Sequence, residues 1–244
     1  VEDGGYLSSA TTGTGNAGDI SVNATDRIAL RRGAIEASAS GGGNGGNIAL
    51  SAPAIQLADS SRVAASSNSS GRSGDILVEA DSLVVTGQSA ITTSALLSDG
   101  GNITVLAQSL VYLNSSTITT SVQGGAGNSG NIFIDPDFVV LNHSAIAADA
   151  FGGNGGNVTI VAANFLASPD SSVTASSAFG LQGNVLISSP TQDLSGDLEN
   201  LPETVVDAST LFKSRCTAVG SRFSSFTVAG PSVAATGHGL LLSS

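Results

Sequence analysis

Residues 41–48 read Gly-Gly-Gly-Asn-Gly-Gly-Asn-Ile, and the end of this stretch decides the fold because it recurs seven times between residues 18 and 185. The recurring unit is a glycine, then asparagine or aspartate, then a β-branched residue. The intervals between successive β-branched residues are 28, 28, 27, 29, 26 and 27. Such a period predicts stacked repeat units in place of a single globular core. The seven copies are Gly18-Asp19-Ile20, Gly46-Asn47-Ile48, Gly74-Asp75-Ile76, Gly101-Asn102-Ile103, Gly130-Asn131-Ile132, Gly156-Asn157-Val158 and Gly183-Asn184-Val185.

Each repeat contains three short segments in which apolar and polar residues alternate, a pattern typical of β-strands. In the first repeat these segments are residues 20–22, 28–30 and 35–37. The first and third segments start 15 residues apart in five repeats and 14 apart in one. We therefore expect length changes to be confined to the third corner. The pattern predicts an all-β fold: a right-handed, single-stranded parallel β-helix with three strands per ~27-residue coil.

Stacking places equivalent residues of successive coils in columns about 4.8 Å apart. The β-branched residues face the interior, and the Asp or Asn residues before them form a column beside them. Asp19 and Asp75 are separated by Asn47, as expected if stacked carboxylates repel and an amide between them donates to both. We expect the glycines to supply positive φ angles or room at tight corners. The predicted structural turn ladder comprises Gly18, Asp19, Gly46, Asn47, Gly74, Asp75, Gly101, Asn102, Gly130, Asn131, Gly156, Asn157, Gly183 and Asn184.

The composition agrees with a thin, layered core and narrows the function. The 244 residues are 41% hydrophobic, with 31 glycines and neither Trp nor Met, so small and β-branched side chains must fill the interior. The net charge of −11 and the lack of any basic cluster larger than Arg31-Arg32 argue against nucleic acid and anionic membranes as partners. No apolar run reaches the roughly 18 residues that a bilayer-spanning helix needs.

The chain divides into three parts. Residues 1–12 are a lead-in or a first partial coil, residues 13–189 are the β-helix repeats, and residues 190–244 are a linker and a tail. We expect an irregular tail with a strand that caps the last coil or joins subunits, because a stack of coils ends in unpaired edges. The single cysteine is either a small packed residue or an intermolecular partner. Possible subunit contacts in the tail are Phe223, Phe226, Val228 and Cys216.

The alternative function is that of an enzyme, because some enzymes that act on polysaccharides also have β-helical folds. Their sites bring several carboxylates and a basic residue together on one face. The best candidate for such a site in this chain is the cluster of Asp135, Asp137, His143 and Asp149. No Lys or Arg occurs between Arg72 and Lys213 to complete it. We therefore predict that the protein is not an enzyme. We also predict no metal or other cofactor, because the turn column is mostly asparagine and lacks the charge that calcium favours.

The repeated Gly-Gly-Asn-Gly-Gly-Asn-Ile turn with three-strand units resembles the β-helical exoproteins of two-partner secretion, the filamentous-haemagglutinin-like family. Where that family has a Gly-Arg-Gly-Gly-Leu-Pro-like ending, this chain has Gly237-His238-Gly239-Leu240-Leu241. The sequence shows no match to the family's amino-terminal secretion domain, so we expect it to be a carboxy-terminal portion. The repeats and the tail together cover nearly the whole chain. The tail segments that carry the resemblance are Leu201-Pro202, Val206-Asp207-Ala208-Ser209, Cys216 and Ser225-Phe226-Thr227-Val228.

The resemblance implies the carboxy-terminal β-helix portion of a protein exported across a bacterial outer membrane by an export partner, and found at the cell surface or outside the cell. We accordingly expect a secreted structural or adhesive stalk. Its partners would be other copies of itself, joined end to end or through the tail, and host or neighbour-cell glycans or matrix. Complementary ends would assemble such stalks into extracellular filaments. The alternative is a polysaccharide lyase-like or hydrolase-like β-helix enzyme.

Overall fold

The computed structural model describes residues 4–189. This part of the chain consists of strands and turns and contains no helix. It therefore has no helical segment that could cross a membrane. In chain order the strands are β1 Tyr6–Ser8, β2 Ile20–Asn23, β3 Arg27–Arg31, β4 Ala34–Ala39, β5 Ile48–Ser51, β6 Ala54–Ala58, β7 Arg62–Ser67, β8 Ile76–Thr86, β9 Ala90–Ala95, β10 Ile103–Asn114, β11 Thr117–Val122, β12 Ile132–Asp135, β13 Phe138–Asn142, β14 Ala145–Ala150, β15 Val158–Val161, β16 Asn164–Ala167, β17 Ser172–Thr174 and β18 Val185–Ser188.

Parallel pairing between successive coils builds the fold. The third strands form a seven-stranded sheet in the order β1-β4-β7-β9-β11-β14-β17. The first strands follow the order β2-β5-β8-β10-β12-β15-β18. The second strands β3, β6, β13 and β16 belong to the same eleven-stranded sheet, because β8 and β10 run without a break from the first position into the second. The prediction of an all-β parallel β-helix with three strands per coil is confirmed: the chain is a β-solenoid of about seven coils.

The register of the first strands matches the predicted interior column. Ile20 pairs with Ile48, Ile48 with Ile76, and the column continues step by step to Val185. Behind it lies a continuous core in which large side chains such as Leu57 and Leu83 are fully buried. Burial of each such side chain stabilises the fold by roughly 1.5–3 kcal/mol. The hydrophobic effect therefore acts along the whole axis and not at one centre.

Corner lengths differ from the expectation. The pairing of β8 with β10 shifts by one residue between Ala107 and Leu110, so the first corner of the fourth coil is one residue longer than that of the third. The second corner then loses one residue, because Ile91 and Ile118 are again partners. The two changes cancel, so the first and third segments of both coils still start 15 residues apart. The expectation that length changes are confined to the third corner is therefore wrong.

In the first five coils, the second corner changes its length through left-handed backbone conformations. In two coils the longer form contains a pair of adjacent residues with positive φ, and in three coils the shorter form contains one such residue. Each left-handed non-glycine residue costs roughly 1–2 kcal/mol, which the flanking strand pairs must offset. The pairs are Asp59 (58°) with Ser60 (65°) and Gly87 (65°) with Gln88 (63°), and the single residues are Arg32 (50°), Ser115 (50°) and His143 (49°).

The ladder glycines serve close approach between coils. A Cβ on Gly74 would lie 2.0 Å from the carbonyl oxygen of Gly46, and a Cβ on Gly101 would lie 1.9 Å from that of Gly74. The described glycines with positive φ are Gly4, Gly87 and Gly125, which are not ladder positions. The ladder positions therefore need glycine because a Cβ would not fit between the coils, and not because the backbone has a positive φ.

Residues 6–18 form the end of a preceding coil. Strand β1 pairs in parallel with β4, and Thr11 forms a bridge with Ala39. The backbone N–H of Ala17 donates to the carbonyl of Asn44 at 2.9 Å, one coil further along. The predicted linker and tail, residues 190–244, lie outside the described residues. The same applies to the predicted subunit contacts, Cys216, Phe223, Phe226 and Val228.

Candidate functional site

The predicted turn ladder is a continuous column of hydrogen bonds along the third corner. At each step the side-chain Oδ1 of one coil accepts a hydrogen bond from the backbone N–H of the equivalent residue in the next coil. All the distances lie between 2.7 and 2.9 Å. The acceptor and donor pairs are Asp19 and Asn47, Asn47 and Asp75, Asp75 and Asn102, Asn102 and Asn131, Asn131 and Asn157, and Asn157 and Asn184.

The direction of these bonds differs from the expectation. The sequence predicts that Asn47 donates its amide to the aspartates on either side, but its Oδ1 accepts from the backbone N–H of Asp75. Side-chain amides donate along the column only from Asn102 to Asp75, at 3.3 Å, and from Asn131 to Asn102, at 3.4 Å, within the described residues. Since Asp and Asn both carry an Oδ1 acceptor, either residue satisfies the next N–H.

A second column of the same kind lies three residues before the ladder position in five of the seven repeats, and it is not among the features predicted from the sequence. Asn16 Oδ1 accepts from the N–H of Asn44, and Asn44 Oδ1 accepts from the N–H of Arg72, both at 2.9 Å. Asp99, Asn128 and Asn154 continue it with distances of 2.9–3.0 Å. The signal was present as an Asn or Asp three residues before the ladder Asx in five of the seven repeats.

Buried hydroxyls attach the third strand to the glycine ladder. Thr93 Oγ1 donates to the carbonyl of Gly101 at 2.6 Å, and Thr120 Oγ1 donates to that of Gly130 at 2.8 Å. Thr120 also lies 2.9 Å from the hydroxyl of Ser129. These threonines are almost completely buried, so their bonds satisfy carbonyls that water does not reach.

A column of buried serines follows the second corner. Ser144 Oγ donates to the carbonyl of Asn142 at 2.7 Å and accepts from the N–H of Ser116 at 3.2 Å. Ser61 and Ser89 form the same arrangement in the second and third coils, where the N–H of Ser61 donates to Ser89 Oγ at 3.0 Å. The two sets are separate because, among the described residues, no bond of this kind joins Ser89 to Ser116.

The residues considered for catalysis lie on different parts of the fifth coil. Asp135 ends the first strand, and Asp137 lies in the corner that follows it. His143 lies at the second corner. Asp149 belongs to the third strand, where it accepts hydrogen bonds from Ser176 N at 2.8 Å and Ser176 Oγ at 2.6 Å. The structure does not bring the four together, and Asp149 is occupied by coil-to-coil contacts.

A small polar network surrounds His143. Its Nε2 lies 3.1 Å from Asp170, and its Nδ1 lies 2.7 Å from Asn142. Ser168 Oγ donates to the Asp170 carboxylate at 2.6 Å, and this bond, more than the His143 charge, holds the pKa of Asp170 below its ordinary value. A nucleophilic triad needs a serine hydroxyl that donates to the imidazole. Here the serine donates to the carboxylate, so the network stabilises the corner.

The arginines of the described residues all lie in the first three coils. Three of them face carboxylates at 3.7 Å: Arg31 faces Asp59, Arg62 faces Glu36, and Arg72 faces Asp99. These pairs are solvent-exposed and contribute little to stability. Residues 76–189 carry seven acidic side chains and no Lys or Arg. The described solenoid is therefore roughly neutral at its amino-terminal side and acidic at its carboxy-terminal side.

Neither a metal site nor a known relative points to a chemical activity. Within residues 4–189, no group of three or more His, Cys, Asp or Glu side chains is placed to hold a metal ion. Comparisons with protein-family models, curated proteins and solved structures find no match. The function must therefore be inferred from the molecule's own architecture.

Proposed function

We propose that this protein is the rod of a secreted, structural or adhesive surface protein, and that copies of it join end to end into extracellular filaments. The observation that carries the proposal is the unbroken coil-to-coil pairing along residues 6–188. Each coil bonds to its neighbours through three parallel strand ladders and the third-corner columns. Such an array forms a stiff spacer, because extension along the axis would break many hydrogen bonds together.

The strand edges support the end-to-end arrangement. Among the described strands, β2 and β3 have a parallel partner on one side only, and so do β16 and β18 at the other end. Two edges that run in the same direction are complementary, and contacts between unlike ends that do not close produce filaments. The uneven charge along the solenoid favours the same head-to-tail contact. The acidic end of one copy would meet the opposite end of the next copy, which carries the arginines.

The location and partners in this proposal follow from the resemblance to the filamentous-haemagglutinin-like exoproteins. On that basis the rod is exported across a bacterial outer membrane by a dedicated partner and acts at the cell surface or outside the cell. Its ligands there would be glycans or matrix of a host or neighbouring cell. Catalysis is not part of the proposal, because the four acidic and imidazole groups considered for it do not share a face.

Electron microscopy of the purified full chain at two concentrations tests this function. We expect filaments that lengthen as the concentration rises, because end-to-end contacts follow mass action. A chain truncated after Pro190, imaged in parallel, distinguishes joining through the strand edges from joining that needs residues 190–244. Short rods of constant length from the full chain at both concentrations would refute filament formation. Depolymerisation of an anionic polysaccharide by the full chain would favour the enzyme.

A further inference from the structure

A groove runs along the first corner of the solenoid, with residues of the first five coils at its walls and a volume of about 490 Å³. Its floor is apolar and well packed, because Ala52, Ala80 and Ala107 occupy the same position in three successive coils and are almost completely buried. The groove lies on the side of the rod. It is therefore independent of the end contacts in the proposed function, and occupying it would add a binding activity to that function.

Three carboxylates line the groove, and two of them occupy equivalent positions two coils apart. Glu79, Leu106 and Asp135 are register partners in the third, fourth and fifth coils. Glu79 and Asp135 are therefore two strand spacings apart, about 10 Å, with the 40% exposed Leu106 side chain between them. Asp81 adds a third exposed carboxylate at the corner.

Among residues 4–189, no positive charge balances these carboxylates. None of the residues that line the groove is Lys, Arg or His, and none of its three acidic side chains forms an ion pair with a described residue. The groove therefore combines an apolar floor with a negative wall that no cation of residues 4–189 pairs, which complements a cationic chain with aliphatic stems. A divalent cation fits poorly, because Glu79 and Asp135 are about 10 Å apart and the three carboxylates are not grouped to hold one metal ion.

The spacing selects a conformation of the occupant. In a polyproline II helix, residues i and i+3 lie on the same side and are about 9.3 Å apart. Lys or Arg residues at those positions would face Glu79 and Asp135 together, and their methylene stems would cover Leu106. We propose that this groove binds a basic segment of another protein in an extended, polyproline-like conformation, with cationic side chains every third residue.

Fluorescence anisotropy with two labelled, end-capped peptides tests the proposal on the full chain. One probe is Lys-Pro-Pro-Lys-Pro-Pro-Lys, and the other is Lys-Lys-Lys-Pro-Pro-Pro-Pro, which has the same composition and charge. We expect the spaced peptide to bind about tenfold more tightly, and its binding to weaken as salt is raised because the pairs are exposed. Equal affinity for the two peptides, or no binding of the spaced peptide at low salt, would overturn the proposal.

Two triple variants with the same charge change separate the groove from the overall charge. Glu79→Gln, Asp81→Asn and Asp135→Asn together should lower the affinity for the spaced peptide at least about tenfold. The control combines Asp19→Asn, Asp75→Asn and Asp99→Asn on the third corner, where each Asn keeps the Oδ1 acceptor that its column uses. We expect the control to change the affinity less than about twofold. Equal losses in both variants would mean nonspecific attraction and would refute a site in the groove.

Discussion

Asn47 Oδ1 accepts the backbone N–H of Asp75 at 2.9 Å, and the N–H of Asn47 itself donates to Asp19 Oδ1 at 2.7 Å. This asparagine therefore separates two carboxylates in a column whose steps are about 4.8 Å. Its amide nitrogen takes no part in these bonds. What distinguishes Asn from Asp at this position is the charge and not the hydrogen-bonding pattern.

Asn47→Asp should destabilise the solenoid by about 1–2 kcal/mol at neutral pH and low salt, because it creates three consecutive carboxylates about 5 Å apart on an exposed surface. The loss should shrink in 1 M salt, where the Debye length is about 3 Å. Urea unfolding at both salt concentrations measures it. The matched control is Asn157→Asp, whose column neighbours Asn131 and Asn184 are neutral. Equal losses in the two variants would show that like-charge repulsion is unimportant here.

Gly74→Ala should unfold the chain or cost more than about 3 kcal/mol, because its Cβ would lie 2.0 Å from a backbone oxygen that cannot move without breaking the strand pairing. Gly42→Ala is the control. A Cβ there meets no atom within 4 Å, so the stability should change by less than about 1 kcal/mol. Thermal unfolding followed by circular dichroism compares the two. A Gly74→Ala chain as stable as the Gly42→Ala chain would contradict the packing described for this corner.

Thr120→Val should reduce the free energy of unfolding by about 1–3 kcal/mol, because it removes a buried donor to the carbonyl of Gly130 while keeping the side-chain volume. Thr119→Val, on the outward face of the same strand, should change it by less than about 0.5 kcal/mol. Chemical denaturation of both variants gives the comparison. If Thr119→Val costs as much as Thr120→Val, the inward hydroxyl bond is not a source of stability.

Ser168→Ala should raise the pKa of Asp170 toward its ordinary value, because the serine hydroxyl is the main group that stabilises this carboxylate. Because folding lowers the pKa of Asp170, its carboxylate stabilises the folded chain at pH values above the ordinary pKa of aspartate. This stabilisation is lost as the pH falls through the lowered pKa of the folded chain. NMR titration of the Asp170 carboxyl carbon measures the pKa. His143→Gln should move it less, since the His143 charge is the smaller cause. A larger shift in His143→Gln would reverse that order.

The period and the register were predictable from the sequence because they depend on residues that repeat in every coil. The pairing of Ile48 with Ile76 follows directly from the interval of 28 residues. The compensating corner lengths were not predictable in this way. The extra residue near Gln108 and the missing residue near Ser115 cancel in any count made from first strand to third strand.

The direction of the ladder bonds was also beyond the sequence pattern. An asparagine side chain offers a donor and an acceptor, and only the backbone geometry of the corner brings its Oδ1 to the N–H of the next coil. The column that begins with Asn16 could have been found, since its members recur three residues before the ladder positions. The network of His143, Ser168 and Asp170 joins residues of successive coils at corners of different length, and no repeat marks it.

The glycine stacking makes the third-corner contact nearly the same from one coil to the next. Gly101 packs against the carbonyl of Gly74, and Gly130 packs against the carbonyl of Gly101. In both cases a Cβ added to the glycine would lie 1.9 Å from the carbonyl oxygen. A gene segment that encodes one coil can therefore be duplicated or deleted at this corner and still meet a compatible neighbour. Evolution can set the reach of such a protein by repeat number, in increments of about 4.8 Å, without redesigning its interior.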